Sequence, residues 1–202
     1  MSEDLGFRRL LFLATGALGT AFLPSWIALL KQSYDCEIRL AITAGAKKFV
    51  TPTALSAISG NPVSGPGWQE DQSAGAEHLL LAEWSEVVIV FPASLDFCAR
   101  IAHGLSDDIP TAVVATTEAP VVVAPSAGGA SLNKAQSKWM IHRLREHGHH
   151  VLDTVSGMSV TTGRLEEGSP VPFAKLLQTL WRLGAVSPNS STDRVKRAKE
   201  KG

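Results

Sequence analysis

Two cysteines in 202 residues, Cys36 and Cys98, are too few for a disulfide framework, and no spacing around them matches a zinc site. Each thiol reads as a small buried hydrophobe. Charge of one sign is missing too: 19 Lys and Arg balance 19 Asp and Glu. Net charge therefore recommends neither nucleic acid nor an anionic membrane as a partner. The chain has no Gly-x-Ser-x-Gly elbow and no Ser-His-Asp order, which leaves a hydrolase without support. It lacks the dinucleotide fingerprint Gly-x-Gly-x-x-Gly and the Gly-Lys pair of a P-loop. One apolar run, Leu10 to Leu30 behind Arg8-Arg9, superficially resembles a twin-arginine signal or a membrane span. Gly16, Gly19, Pro24 and Ser25 interrupt it, and it divides naturally into a strand, a glycine turn and an amphipathic helix. A cytoplasmic location fits these absences.

What is present is a rhythm. Leu10 to Ala14 is a short apolar run of the kind that forms a strand buried on both faces. Thr15 to Gly19 is the turn, and Ala21 to Gln32 the helix, with Phe22, Trp26, Leu29 and Leu30 on one side. Glu37 to Ile42 is the second strand, and Thr43 to Ala46 leads into a helix holding Lys47, Lys48 and Phe49. Val87 to Phe91 is a strand, Pro92-Ala93-Ser94 the turn, and Ala99 to Gly104 helical. A further βαβ-like unit spans Val113 to Glu146, with Ala112 to Ala115 as an apolar run, Pro120 to Ala124 a strand and Gln136 to His147 a helix. Val151 to Asp153 reads as a late strand and Phe173 to Leu183 as the closing helix. Such alternation predicts an α/β fold: one Rossmann-like (flavodoxin-like) domain over 1–186, with a mainly parallel sheet flanked by helices. Residues 187–202 read as a disordered, polar and basic tail. Gly60 to Gly75 and Thr154 to Pro172 are irregular and are candidates for covering a substrate.

In an open parallel sheet, ligands settle beyond the carboxyl ends of the strands. The turn at Gly16 and Ala17 offers backbone N–H groups to a phosphate, and Thr43 could add a hydroxyl. His78 opens an apolar helix just after the long loop. By contrast His142, His147, His149 and His150 gather at a helix end, where histidines are favourable beside the negative pole. His103 reads as a surface residue. Asp107-Asp108 reads as a helix-to-strand loop rather than a metal site, and no metal is expected.

Taken together, the chain from 8 to 183 resembles the flavin-containing cysteine decarboxylases, most of all the epidermin-type peptidyl-cysteine decarboxylases of lanthipeptide biosynthesis. The resemblance is carried by His78, Leu81, Ala82, Trp84, Pro92-Ala93-Ser94, Ile101-Ala102, Gly104, Asp107 or Asp108, Ala115-Thr116, Pro125 and Thr162-Gly163-Arg164-Leu165. Spacing from His78 to Pro92 and from Pro92 to Pro125 fits the family pattern without gaps.

The resemblance implies one flavin per subunit, FMN or FAD, with Gly16, Ala17 and Thr43 at its phosphate and Phe49 near the ring. It places Ser94, Leu95, Asp96, Phe97 and Ser126 along the cofactor, and His78 as the catalytic base. It implies oxidation of a cysteine to a thioaldehyde, then loss of the carboxylate to leave an enethiol, with the flavin carrying the redox step. Imidazole is suited to the base role because it exchanges protons near neutral pH. Self-assembly as a homotrimer or homododecamer is implied as well, with flavin near subunit contacts. Three departures stand out: Leu95-Asp96-Phe97 for Ala-Asn-Thr, Ser85-Glu86 for Ala-Asp, and Ser126-Ala127-Gly128 for x-Met-Asn. Gly128 cannot do an asparagine's work, so Asn133 or the backbone at Gly128-Gly129 is the candidate substrate contact, with Arg164 on the covering loop. The expected substrate is the C-terminal cysteine of a ribosomally made precursor peptide, on the way to an aminovinyl-cysteine ring. Alternatives are phosphopantothenoylcysteine decarboxylase and a catalytically silent flavin-binding protein, while His78 disfavours a flavin prenyltransferase.

Overall fold

The computed structural model describes residues 4–67, 76–158 and 162–186; the expected tail and Trp68 lie outside them. Six strands, β1 (Arg9–Ala14), β2 (Glu37–Ile42), β3 (Val63–Ser64), β4 (Val87–Ser94), β5 (Val121–Ser126) and β6 (His150–Val151), make one sheet. Every pairing in it is parallel and the order is β3-β2-β1-β4-β5-β6, which reverses direction between β1 and β4. This is the expected Rossmann-like α/β architecture, and the reversal is where such sheets open a crevice.

The strands are apolar throughout because both faces are covered. Leu10, Phe12 and Ala14 of β1 join Val87, Ile89 and Phe91 of β4 beneath α1 (Leu23–Ser33), α2 (Pro52–Ser59) and α8 (Phe173–Val186). Leu11, Leu13, Val88 and Val90 point the other way. They pack with α3 (Glu77–Trp84), α4 (Leu95–Ala102), α5 (Ile109–Thr116) and α7 (Ala135–Glu146), which the single turn of α6 (Gly129–Leu132) precedes. Trp26 of α1 stacks on Phe173 of α8, ring centroids 5.6 Å apart, and both touch Phe91, so the closing helix is seated over the end of β4. The segment from Leu10 to Leu30 is a strand, a 3-10 turn at Leu18–Phe22 and the start of α1, and no described helix is long and apolar enough to cross a membrane.

Four assignments from sequence change. Ala112 to Ala115 is helical, not strand-like: Asp108 caps α5 in a capping box with Thr111, Pro110 occupies its first turn, and Ile109, Ala112 and Val113 are buried at helical spacing. Asp107-Asp108 therefore joins two helices. Pro92-Ala93-Ser94 is the end of β4 rather than a turn, since Ala93 pairs with Pro125 and Ser94 with Ser126. Val90 pairs with Val123, so β4 carries one extra residue, a bulge at Phe91-Pro92. Lys47 and Lys48 lie in a 3-10 turn that Phe49 ends, and the helix begins only at Pro52 with Thr51 as its cap. Finally, Thr154 to Pro172 contains an antiparallel hairpin, β7 (Val155–Met158) and β8 (Leu165–Ser169). It docks through Gly168, whose carbonyl accepts from the Ala127 N–H at 3.0 Å. At φ +103° that position favours glycine, and a Cβ would stand 1.9 Å from the Ala127 carbonyl oxygen.

Thr15 joins the two halves of the sheet. Its buried hydroxyl donates to the Pro92 carbonyl at 2.8 Å and accepts from the Ser94 N–H at 2.8 Å. Thr15→Val keeps the shape and removes both bonds. It should lower stability by about 1–3 kcal/mol, because two backbone groups lose their partner. Urea unfolding measures this, and an unshifted midpoint would show the bridge to be dispensable.

Candidate functional site

Beyond the carboxyl ends of β1, β2 and β4 lies a cleft of ≈ 710 Å³. Gly16, Thr43, Ala44 and Gly45 line one side, Pro66 and Gly67 extend it, and Ser94, Asp96, Arg100, Asp107 and Asp108 form the opposite wall. The volume lies in the range of cofactor sites.

The glycine side is bare for a physical reason. A Cβ built on Gly16 would stand 3.2 Å from the Gly45 Cα, and one on Gly45 3.1 Å from the Gly16 Cα. Two neighbouring strand ends can approach this closely only without side chains. Among the described residues, the N–H groups of Gly16, Ala44 and Gly45 have no hydrogen-bond acceptor. Thr43 accepts from the Ala46 N–H through Oγ1 at 3.2 Å and keeps its own proton to donate. Ser94 likewise caps α4 by accepting from the Phe97 N–H at 3.3 Å, leaving its O–H for the cleft. Free amides and hydroxyls without a side-chain cation in the way suit a phosphate. Ala17, expected beside Gly16, drops out: its N–H is spent on the Thr15 carbonyl at 2.9 Å, and its side chain is buried.

The far wall carries charge. Arg100 bonds Asp108 at 3.0 Å and also Asp107, so one guanidinium serves two carboxylates. That contact holds Asp107 below the usual carboxylate range. Asp96 is exposed on the first turn of α4.

Other expected site residues fall elsewhere. Phe97 is fully buried in the core under α4, so its ring cannot face a cofactor; the helical turn after Ser94 aims it inward. Leu95 packs partly on the same cluster, and Phe49 is half-buried after its 3-10 turn. Ser126 stands opposite Ser94 at the end of β5. Gly128 has ordinary φ and ψ of −61° and 143°, and nothing lies within 4 Å of a Cβ built on it. Its lack of a side chain is therefore open space rather than a backbone requirement. Asn133 lines a second cavity of ≈ 290 Å³ with Pro125, Leu132, Lys138, His142 and Glu167, between α7 and the hairpin. Arg164 is exposed between β7 and β8. His78 is half-buried in the first turn of α3 and does not line the cleft of its own chain. Lengths explain this: eight residues of helix rise about 12 Å, whereas the eight residues of β4 extend about 26 Å. Arg100 and Gly45 are cleft residues that the sequence reading passed over; a lone charge on an amphipathic helix and a glycine after a strand are both too common to single out.

The model of the family described as Flavoprotein matches residues 1–180. The chain belongs to the flavoprotein family. Among curated relatives, the coenzyme A biosynthesis bifunctional protein CoaBC of Haemophilus influenzae is 30% identical over 157 residues, 76% of this chain and 39% of that protein. The chain thus spans well under half the length of this relative. Among solved structures, the FMN-dependent cysteine decarboxylase SpaF superposes with a TM-score of 0.78 at 29% identity, covering 90% of this chain and 99% of SpaF. EpiD, solved as a His-to-Asn variant with the substrate peptide DSYTC, shares the fold: TM-score 0.74, 20% identity, 86% of this chain and 98% of EpiD. These are flavin-dependent cysteine decarboxylase relatives, and the cofactor of such a protein is a flavin, FMN or FAD. The bare Gly16–Gly45 pair and its free amides fit that group.

Gly16→Val would push a branched side chain against Gly45. Flavin affinity should fall about tenfold or more, which is 1.4 kcal/mol per decade, in a fluorescence titration of a variant with unaltered circular dichroism. Undiminished affinity would move the phosphate elsewhere. The histidines at the far end of α7 concern stability instead. Burial, reinforced by His147 and His150, holds His149 below its ordinary value of 6.5. The unfolded chain therefore binds the proton first as pH falls, so stability is full above pH 6.5 and declines below it. His149→Gln should flatten that decline in urea melts between about pH 6.5 and 5, and an unchanged slope would acquit the residue.

Proposed function

We propose that this protein oxidatively decarboxylates the C-terminal cysteine of a ribosomally made precursor peptide, giving an enethiol. One observation carries the reading: a second cavity lies farther along the same carboxyl edge of the sheet. Ser94 pairs with Ser126, Pro125 beside it walls the second cavity, and Gly128 leaves open space nearby. A cysteine held at the flavin would have a path for the residues that precede it along the carboxyl edge. Likeness to SpaF and to a peptide-bound EpiD supports the same substrate class.

When bound, the flavin supplies the acceptor for the hydride that leaves the cysteine Cβ. Every other task falls to the protein. Gly16, Ala44 and Gly45 amides with the Thr43 hydroxyl anchor the phosphate end, and the Ser94 O–H orients the reacting end. His78 takes the thiol proton, so that the sulfur can form C=S as the hydride departs. The resulting thioaldehyde would withdraw electrons from the Cα–carboxylate bond, carbon dioxide would leave an enethiolate, and a proton on sulfur would complete the enethiol. The Gly128-Gly129 amides and Asn133 are the groups we assign to the substrate carboxylate and amide.

His78 cannot do this within its own chain if α3 stops short of the carboxyl edge, so we assign it to the cleft of a second copy. Exposed Phe22, at 60%, and Trp181, at 65%, with Leu79 and Leu80 supply apolar surface for such an assembly. A second reading, phosphopantothenoylcysteine decarboxylation, is favoured by the likeness to CoaBC. It differs in substrate rather than in cofactor.

Mass spectrometry of peptides ending in cysteine decides between them, with phosphopantothenoylcysteine alongside. Loss of carbon dioxide and two hydrogens from the peptide is expected; turnover of the small thiol alone would favour the second reading. Bound flavin with neither turnover would leave a silent binder. His78→Asn should retain flavin and lose turnover. Mixed assemblies of that variant with Gly16→Val should recover part of the activity, and no recovery would place His78 in its own cleft.

A further inference from the structure

The cleft is electrically lopsided. Its lining holds three carboxylates, Asp96, Asp107 and Asp108, against one guanidinium, Arg100. Arg100 is already committed, its side chain only 16% exposed and bonded to both Asp107 and Asp108. Asp108 is further fixed as the cap of α5, accepting from the Thr111 N–H at 3.0 Å. Asp96 has no ion pair or hydrogen bond among the described residues. Its place is set by Ser94, whose N–H is held by Thr15 and whose hydroxyl caps the helix in which Asp96 is the second residue. One carboxylate therefore lines the cleft with no ion-pair partner among the described residues.

An oxidised flavin ring is neutral, and accepting a hydride makes it an anion. A fixed carboxylate beside it disfavours the second state more than the first, and a half-enclosed cleft screens the repulsion less than water does. We propose that Asp96 is a redox-setting residue: its charge holds the bound flavin at a lower midpoint potential than the neutral, isosteric asparagine would. The resemblance offers the comparison, because asparagine stands there in the family pattern. Ser94, Arg100 and the glycine cradle position the cofactor; Asp96 makes its reduced form a stronger electron donor. This inference rests on the proposed flavin site, but not on which cysteine substrate the protein takes.

The test uses the full chain reconstituted with FMN, its uptake confirmed by visible absorbance before any redox measurement. Anaerobic titration against a reference dye then compares wild type with Asp96→Asn, Asp96→Ala and Asp96→Glu. Removing the charge should tighten the reduced flavin relative to the oxidised by about tenfold, ~30 mV for a two-electron couple, in both Asn and Ala variants. The Glu variant should remain near wild type. Asn and Ala variants that bind FMN with the wild-type ratio, or a lower one, would overturn the proposal. So would a Glu variant that shifts as far as Ala, since charge would then not be the cause. A wild-type chain that takes up no flavin would instead overturn the functional reading, and this inference with it.

Discussion

The hydroxyl of Thr15 is the contact on which the rest is built. A parallel sheet that reverses its winding direction leaves two strands side by side whose connections depart in opposite senses, and nothing in ordinary ladder bonding holds their ends together. Here one buried oxygen does so, linking the residue after β1 to Pro92 and Ser94 at the end of β4. Fixing Ser94 in this way sets where α4 starts, which face of α4 meets the core, and where Asp96 and Arg100 stand. The cleft is thus a consequence of strand-end bonding before it is a collection of polar groups.

Its two walls work by different physics. The β1–β2 side is built by subtraction, two glycines removing side chains until backbone amides become the surface. Across from it, the α4–α5 side is a charge network in which helix capping and ion pairing share residues, so Asp108 cannot be altered without affecting both α5 and Arg100. Exposed pairs would contribute little, but Arg100 and Asp108 are both mostly shielded from water.

The fold was legible wherever hydrophobic pattern and turn chemistry agreed. Leu10 to Ala14 and Glu37 to Ile42 are short runs rich in strand-forming residues, and Gly16 and Thr43 follow them as turn residues. Ala112 to Ala115 misled because four apolar residues suit a buried helix as well as a strand, and only the Asp-x-Pro-Thr capping signal ahead of them decides. Pro92 misled in the opposite direction, since proline ordinarily ends a strand and here is accommodated by a bulge. Of the candidate site, Gly16 and Thr43 were readable because the winding rule brings strand ends together, and Ser94 and Asp96 because the family resemblance set them along the cofactor. Ala17 was not, since which amide stays free depends on a three-residue turn. The position of His78 was not readable either: periodicity tells where a helix lies along the chain, not how far up the sheet it reaches.

The bulge at Phe91-Pro92 also acts on parity. Along β4 the odd-numbered residues Val87, Ile89 and Phe91 face the α1 side, yet Ala93 faces the α4 side. One inserted residue has exchanged the two faces of the strand for its last turn of pleat. Deleting Pro92 would restore plain alternation, with Phe91 opposite Ala124 and Ala93 still opposite Pro125, so Ser94 would keep its layer. What the extra residue supplies is therefore the Pro92 carbonyl that the Thr15 hydroxyl holds, rather than the face on which Ser94 stands.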